Sequence, residues 1–264
     1  MHLGEDYYNF PITLLAGILD KPDEVFRDIL AWATYDYIKR AQGENENGTK
    51  VLNGAMGYRK IELAIENLNY PQERRNYTQG QLEWWYRHCG EVYAAHKGAR
   101  TGLTRDKYWQ LRERFAEYPE EINSYPYPND FDTERVVWLA FLAMKSIVGN
   151  KGYCKTNDLM LFARMNGRSK AFANEQDLKE HSHPLIASYY TRKKRETIRR
   201  KLAEEFHTPT HSNHDRGYYA STRLSLEKLG EVVESKRHST LKSYNAKVRE
   251  TRDRVLAKLG KKPP

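Results

Sequence analysis

The chain has 264 residues, 39% hydrophobic, 30% charged and 12% aromatic, enough large apolar surface to close a core and too much for a disordered polypeptide. No run of about 18 apolar residues is present to cross a bilayer, and the opening MHLGEDYYNF is acidic and aromatic where a secretory signal is basic and then apolar, so a cytosolic (cytoplasmic) protein without membrane contact is expected. The net charge of +9 is unevenly held: residues 1–150 carry 18 Lys or Arg against 22 Asp or Glu, a balance of −4, whereas residues 151–264 carry 26 against 13, a balance of +13.

Positive charge confined to one region is the footprint of polyanion binding, because each neutralised phosphate releases condensed counterions; a solvated helical surface is the plainer alternative. The cysteines, Cys89 and Cys154, are far apart and lack a CxxC partner, so neither a disulfide framework nor a cysteine zinc site is expected. The length suits two domains of ordinary size.

Residues 1–118 read as a helical domain. After Lys21-Pro22-Asp23, Val25, Phe26, Ile29, Trp32, Ala33 and Tyr37 recur at helical intervals until QGENENGTK breaks the pattern. Further amphipathic stretches are predicted around 58–68, 81–95 and 104–118, the last with Thr104 as N-cap and Asp106 in its first turn. No strand-like alternation stands out here. Trp84, Trp85 and Tyr86 are adjacent, so in a helix they point apart and at least one is expected at the surface or an interface. This domain is the expected place for a homodimer or protein-partner contact.

Residues 119–132, PEEINSYPYPNDFD, contain three prolines and no helical period, and read as a linker. From Thr133 to Val148 a helix is predicted with Val136, Val137, Ala140, Phe141, Met144, Ile147 and Val148 on a broad apolar stripe, stopped by Gly149. A second, shorter helix follows, capped by Thr156 or Asn157 and ended by Gly167. A polar segment spans 168–184. Then a basic helix begins near Thr191, with Ile198, Leu202 and Phe206 along one side and Arg192, Lys193, Lys194, Arg195, Thr197, Arg199 and Arg200 over the rest. The turn-rich stretch 207–214 and the strand-like RGYYASTRLSL predict a hairpin, after which a long polar helix begins.

The order helix, short helix, basic helix, hairpin, helix over Thr133 to Leu229 resembles the winged helix-turn-helix family, with RGYYASTRLSLEKL similar to a second wing strand entering the next helix. With the helical N-terminal domain (1–118) and the linker (119–132) read above, the resemblance implies a mainly α protein whose C-terminal domain (133–264) is a winged helix with a small β-hairpin. It also implies that the helix from Thr191 enters the major groove of duplex DNA while the hairpin tip, around His211 to Arg216, meets phosphates or the minor groove. The residues so assigned to nucleic acid are Arg192, Lys193, Lys194, Arg195, Thr197, Arg199, Arg200, Arg216, Tyr218 and Arg223. The chain departs from the family in the long insertion between the second and third helices.

Catalytic patterns fail on spacing. His207, His211 and His214 lie in a segment with Pro209 and Asn213 that does not favour a regular helix, so no metal is expected there. His181-Ser182-His183 and Tyr190-x-x-Lys193 are similar to elements of nicking replication initiators, but Ser182 is polar where that family has an apolar residue and the two elements are too close. Phosphate-loop, dinucleotide and hydrolase-elbow motifs are missing. The expectation is a non-enzymatic duplex-DNA binder without cofactors, a transcription regulator or a plasmid- or phage-type replication initiator. Two other classes remain: an interaction or inhibitor module for a protein or nucleoprotein partner, and an RNA binder stacking bases on Tyr218 and Tyr219.

Overall fold

A computed structural model describes residues 7–40, 43–44, 50–51, 78–116, 130–212 and 217–258. The protein is mainly helical with small antiparallel sheets. Strand β1 (Tyr7–Pro11) leads through a 3-10 turn (Ile12–Leu15) to α1 (Pro22–Arg40), opened by a proline and by Asp23 and Glu24, whose charges suit the positive end of the helix dipole. Short strands β2 (Gly43–Glu44) and β3 (Lys50–Val51) pair with each other. Helix α2 (Gln79–Ala95) starts with a capping box, in which the Thr78 hydroxyl accepts from the Gln81 N–H and the Gln81 side chain accepts from the Thr78 N–H. Strand β4 (Arg100–Thr104) runs directly into α3 (Arg105–Ala116), capped by Thr104 as the sequence predicts.

The N-terminal part is not helical throughout. β1 and β4 form an antiparallel pair, with Tyr8 opposite Leu103 and Phe10 opposite Thr101. Each strand is five residues long, too short for alternation to stand out beside helical neighbours; Tyr8 and Phe10 nevertheless point inward with period two. The expected helix around 58–68 lies outside the described residues.

Helix α4 (Asp130–Val148) is the axis of the molecule. The sequence predicts one apolar stripe, yet every residue from Arg135 to Met144 is buried. One side of α4 meets β4, α3 and the 3-10 turn, where the Thr101 hydroxyl donates to the Leu142 carbonyl at 2.9 Å. The other side meets α5 (Asp158–Met165), α8 (Arg192–Phe206) and the strands β5 (Tyr153–Thr156) and β7 (Tyr218–Ser221). A single cluster of buried side chains therefore runs from Tyr8 to Ala220. Of the expected linker, 119–129 lie outside the described residues and 130–132 form the first turn of α4, where acidic Asp132 suits the helix N-terminus.

Sheet order in the C-terminal half is β5-β7-β6, β6 being Thr210–Ser212, with both pairings antiparallel. The segment read as polar, 168–184, holds α6 (Glu175–His181) and the start of α7 (Pro184–Ser188), pinned by buried Phe172, Leu178 and Ile186. Three isolated apolar residues among charges give too weak a period to show in sequence, and the caps Asn174 and His183 define these helices instead.

Two glycines are required by close approach. Gly167 ends α5 at φ +72°, and a Cβ there would lie 2.8 Å from the Ala16 backbone nitrogen, so this turn packs directly on the N-terminal half. Gly217 enters β7 at φ +97°, where a Cβ would lie 2.3 Å from the Thr156 carbonyl oxygen. Helix α9 (Leu226–Lys258) covers the sheet with Leu229 and Val233; from Ser235 to Val255 it is exposed, Leu241, Tyr244, Val248 and Val255 included, except at half-buried Asp253.

Candidate nucleic-acid interface

Helix α8 starts where the sequence places it. The Thr191 side chain accepts from the Lys194 N–H, and Ile198 and Leu202 are buried against α4, with Phe206 stacked on Phe141 at 4.3 Å between centroids. That anchoring turns Arg192, Lys193, Glu196, Arg200 and Glu204 to solvent.

The cations of α8 fall into two groups. Arg195 and Arg199 turn inward onto Asp158, at the first turn of α5: Arg195 Nη1 donates to Oδ2 at 2.8 Å and Arg199 Nη2 to Oδ1 at 2.7 Å. Asp158 is 15% exposed and the two arginines 26% and 29%. Their guanidinium groups also lie over aromatic rings, Arg195 4.7 Å from the centroid of Tyr190 and Arg199 4.8 Å from that of Tyr218. One carboxylate thus ties α5 to α8 and occupies two of the arginines assigned to nucleic acid. Lys194 is likewise engaged, its ammonium donating to the Ser188 carbonyl at 3.0 Å and lying over Tyr189.

The outward group is Arg192, Lys193 and Arg200. Arg192 pairs with Glu196 at 3.1 Å and Arg200 with Glu204 at 2.9 Å, both exposed i,i+4 pairs of the kind that contribute only a few tenths of a kcal/mol and exchange readily for another anion. Lys193 is exposed, with no ion pair among the described residues. The Thr197 hydroxyl donates to the Lys193 carbonyl within the helix.

The strand residues divide in the same way. Tyr218 is 5% exposed, and burial pushes its phenol pKa up; this removes it from the surface, contrary to its assignment as a base-stacking residue. A strand that pairs with β5 on one side and β6 on the other must send alternate side chains into the core, and Tyr218 occupies an inward position. Tyr219 is half-buried beside Tyr153, with the Lys236 ammonium 4.6 Å from the Tyr153 centroid. Arg223 is exposed beyond the end of β7. Arg216 and the tip at 213–216 lie outside the described residues.

The role of Asp158 is not legible in the sequence. Asp158 reads in sequence as an ordinary first-turn acid, and nothing local links it to arginines 37 and 41 positions away. The long polar helix expected after the hairpin is α9, and its residues 235–258 hold eight Lys or Arg and two Asp or Glu, a balance of +6. His207 adopts a left-handed conformation (φ 49°) as the C-cap of α8, and His183 caps α7 while its ring lies 3.2 Å from Asp20. Among the described residues, histidines, cysteines and carboxylates form no group able to hold a metal, and no helix is long and apolar enough to cross a membrane.

Compared with known proteins, the chain matches no family model, no curated protein and no solved structure.

Proposed function

We propose that the C-terminal half is a winged helix-turn-helix that binds duplex DNA without covalent chemistry, acting in transcription control or in replication initiation of a plasmid- or phage-type element. The observation that carries this reading is topological. The succession α4, β5, α5, α8, β6, β7, with sheet order β5-β7-β6, supports a winged-helix reading, in which α6 and α7 fill the insertion between the second and third helices. In that arrangement α8 is the helix offered to the major groove, and the β6–β7 hairpin reaches the flanking backbone.

The internal ion pairs sharpen which residues contact DNA. Arg195 and Arg199 hold the second helix to the third and act as positioning residues. Arg192, Lys193 and Arg200 make the outward contacts, with Arg223 at the strand end and the basic arm of α9 adding phosphate contacts. Glu196 and Glu204 partly neutralise the outward face of α8, so much of the affinity is assigned to elements flanking that helix.

The test is anisotropy of a labelled random-sequence duplex titrated with the wild-type protein and with the combined Arg192→Glu, Lys193→Glu, Arg200→Glu variant. The reading expects a loss of at least tenfold with the thermal melt unchanged. Equal binding by the two proteins would overturn it. Charge reversal at Arg195 or Arg199 is unsuitable, because a carboxylate facing Asp158 would unfold the α5–α8 junction.

An interaction module is the second reading, and one feature favours it. Trp84 is 56% exposed on α2, stacked on the His88 ring, which itself bonds Asp28 at 3.2 Å. An exposed tryptophan held rigid is a natural anchor for a protein partner. It is compatible with DNA binding by the other half.

A further inference from the structure

Between the β1–β4 pair and the C-terminal end of α4 lies a cleft of about 770 Å³, bounded on its far side by Phe206, Thr208 and Arg223. Its walls carry four cations, Arg100, Lys107, Lys145 and Arg223, and none of its lining residues is acidic. Arg100 is answered from behind by Asp36 at 3.4 Å. The other three have no carboxylate partner among the described residues. The Lys145 ammonium donates to the Tyr7 hydroxyl at 2.9 Å and to the Gly102 carbonyl, and stands 5.4 Å from the Phe141 centroid. The Lys107 ammonium stands 5.0 Å from the same ring. Two lysines against one phenyl ring, without an anion, is a costly arrangement that folding alone does not call for.

From this geometry we infer that the cleft is a binding site for a small phosphorylated ligand carrying two or three negative charges, seated on Lys107, Lys145 and Arg223. The three unanswered cations match the charge of a diphosphate. The volume suits a ligand of nucleotide size. Hydroxyl and amide side chains of Thr222, Asn9 and Asn150 line the walls and offer hydrogen bonds to phosphate oxygens. The protonation equilibria agree with this: burial pulls the Lys145 pKa down to about 8, and burial together with the charge of Lys145 lowers that of Lys107, so both gain from an arriving anion. Because the cleft joins elements of both halves, an occupant bridges them, and it does so whether or not α8 binds DNA.

The experiment is isothermal titration of the full chain with pyrophosphate, inorganic phosphate and a nucleoside diphosphate, repeated on Lys145→Met, Lys107→Gln and Arg223→Gln, each checked by thermal melting. The inference expects saturable pyrophosphate binding, weakened at least tenfold in Lys145→Met and in the milder Arg223→Gln. Lack of binding by wild type at millimolar concentration would overturn it, as would binding that the variants leave unchanged. A duplex titrated in parallel separates the two phosphate sources. If Lys145→Met weakens duplex binding while pyrophosphate does not bind, the cleft holds backbone phosphate and the small-ligand inference fails. If pyrophosphate binds and no duplex does, the cleft assignment stands and the DNA reading falls alone.

Discussion

Replacing Asp158 by alanine is expected to unfasten α5 from α8. The carboxylate accepts from two guanidinium groups at 2.7–2.8 Å and is 15% exposed. A charge-assisted hydrogen bond contributes about 1.5–3 kcal/mol, but the arginines keep roughly a quarter of their surface in water and their three bonds converge on one carboxylate, so the contributions are not additive. Loss of a favourable helix-dipole interaction at the start of α5 adds about 0.5 kcal/mol. The sum is about 2–3 kcal/mol. With a shift of roughly 2–4 °C per kcal/mol for a chain of this size, the melting temperature should fall by about 5–10 °C. Circular dichroism melts at pH 7 measure this directly, and a double-mutant cycle with Arg199→Leu should return a coupling of at least about 1 kcal/mol. A fall below about 1 °C, with coupling near zero, would mean that the arginines are solvated and free, and would return Arg195 and Arg199 to the set of DNA contacts.

Other outcomes follow from the same structure. Lys145, held near pKa 8 by burial against an ordinary 10.5, must be carried charged in the folded state below about pH 8 and is neutral in both states above 10.5. Its charge therefore destabilises the fold at low pH, and Lys145→Met should be most favourable relative to wild type near pH 7, with the difference shrinking as pH rises toward 10; a difference independent of pH in paired melts would refute the desolvation argument. Gly167→Ala should cost about 2–4 kcal/mol, from the left-handed backbone and from a Cβ 2.8 Å from the Ala16 nitrogen, and a urea midpoint equal to wild type would disprove that contact. Buried Cys89, its thiol pushed up to about 12 by burial, should resist iodoacetamide at pH 8 until urea unfolds the protein, whereas half-exposed Cys154 is alkylated in the native state, as peptide mass mapping would reveal.

What could be read from the sequence was largely what is local. The cap at Thr104, the cap at Thr156 or Asn157 (it is Asn157), the helix start near Thr191, the stop at Gly167, the apolar edge Ile198, Leu202 and Phe206, and the hairpin strand around 218–221 are each decided by a few neighbouring residues. The β1–β4 pair was not, because two five-residue strands separated by nearly ninety positions find each other only through tertiary packing. The burial of α4 on all sides had the same origin: its polar residues are few, but the sequence does not say that a second layer covers its other face. For the interface, the run of basic residues was legible and their division was not. Arg195 and Arg199 differ from Arg192 and Arg200 only in facing Asp158, a residue whose role depends on where α5 lies.

The central claim is that the outward cations of α8, Arg223 and the arm of α9 neutralise phosphates of duplex DNA. The most direct test is the salt dependence of binding to a random duplex between about 50 and 200 mM, since each phosphate neutralised contributes about −0.9 to the slope of log K against log salt. The account predicts a slope equivalent to about four or more phosphates, reduced in step by Lys193→Glu and Arg200→Glu, and weaker binding to single-stranded RNA. Undetectable duplex binding at about 50 mM salt, or a slope near zero, would contradict it.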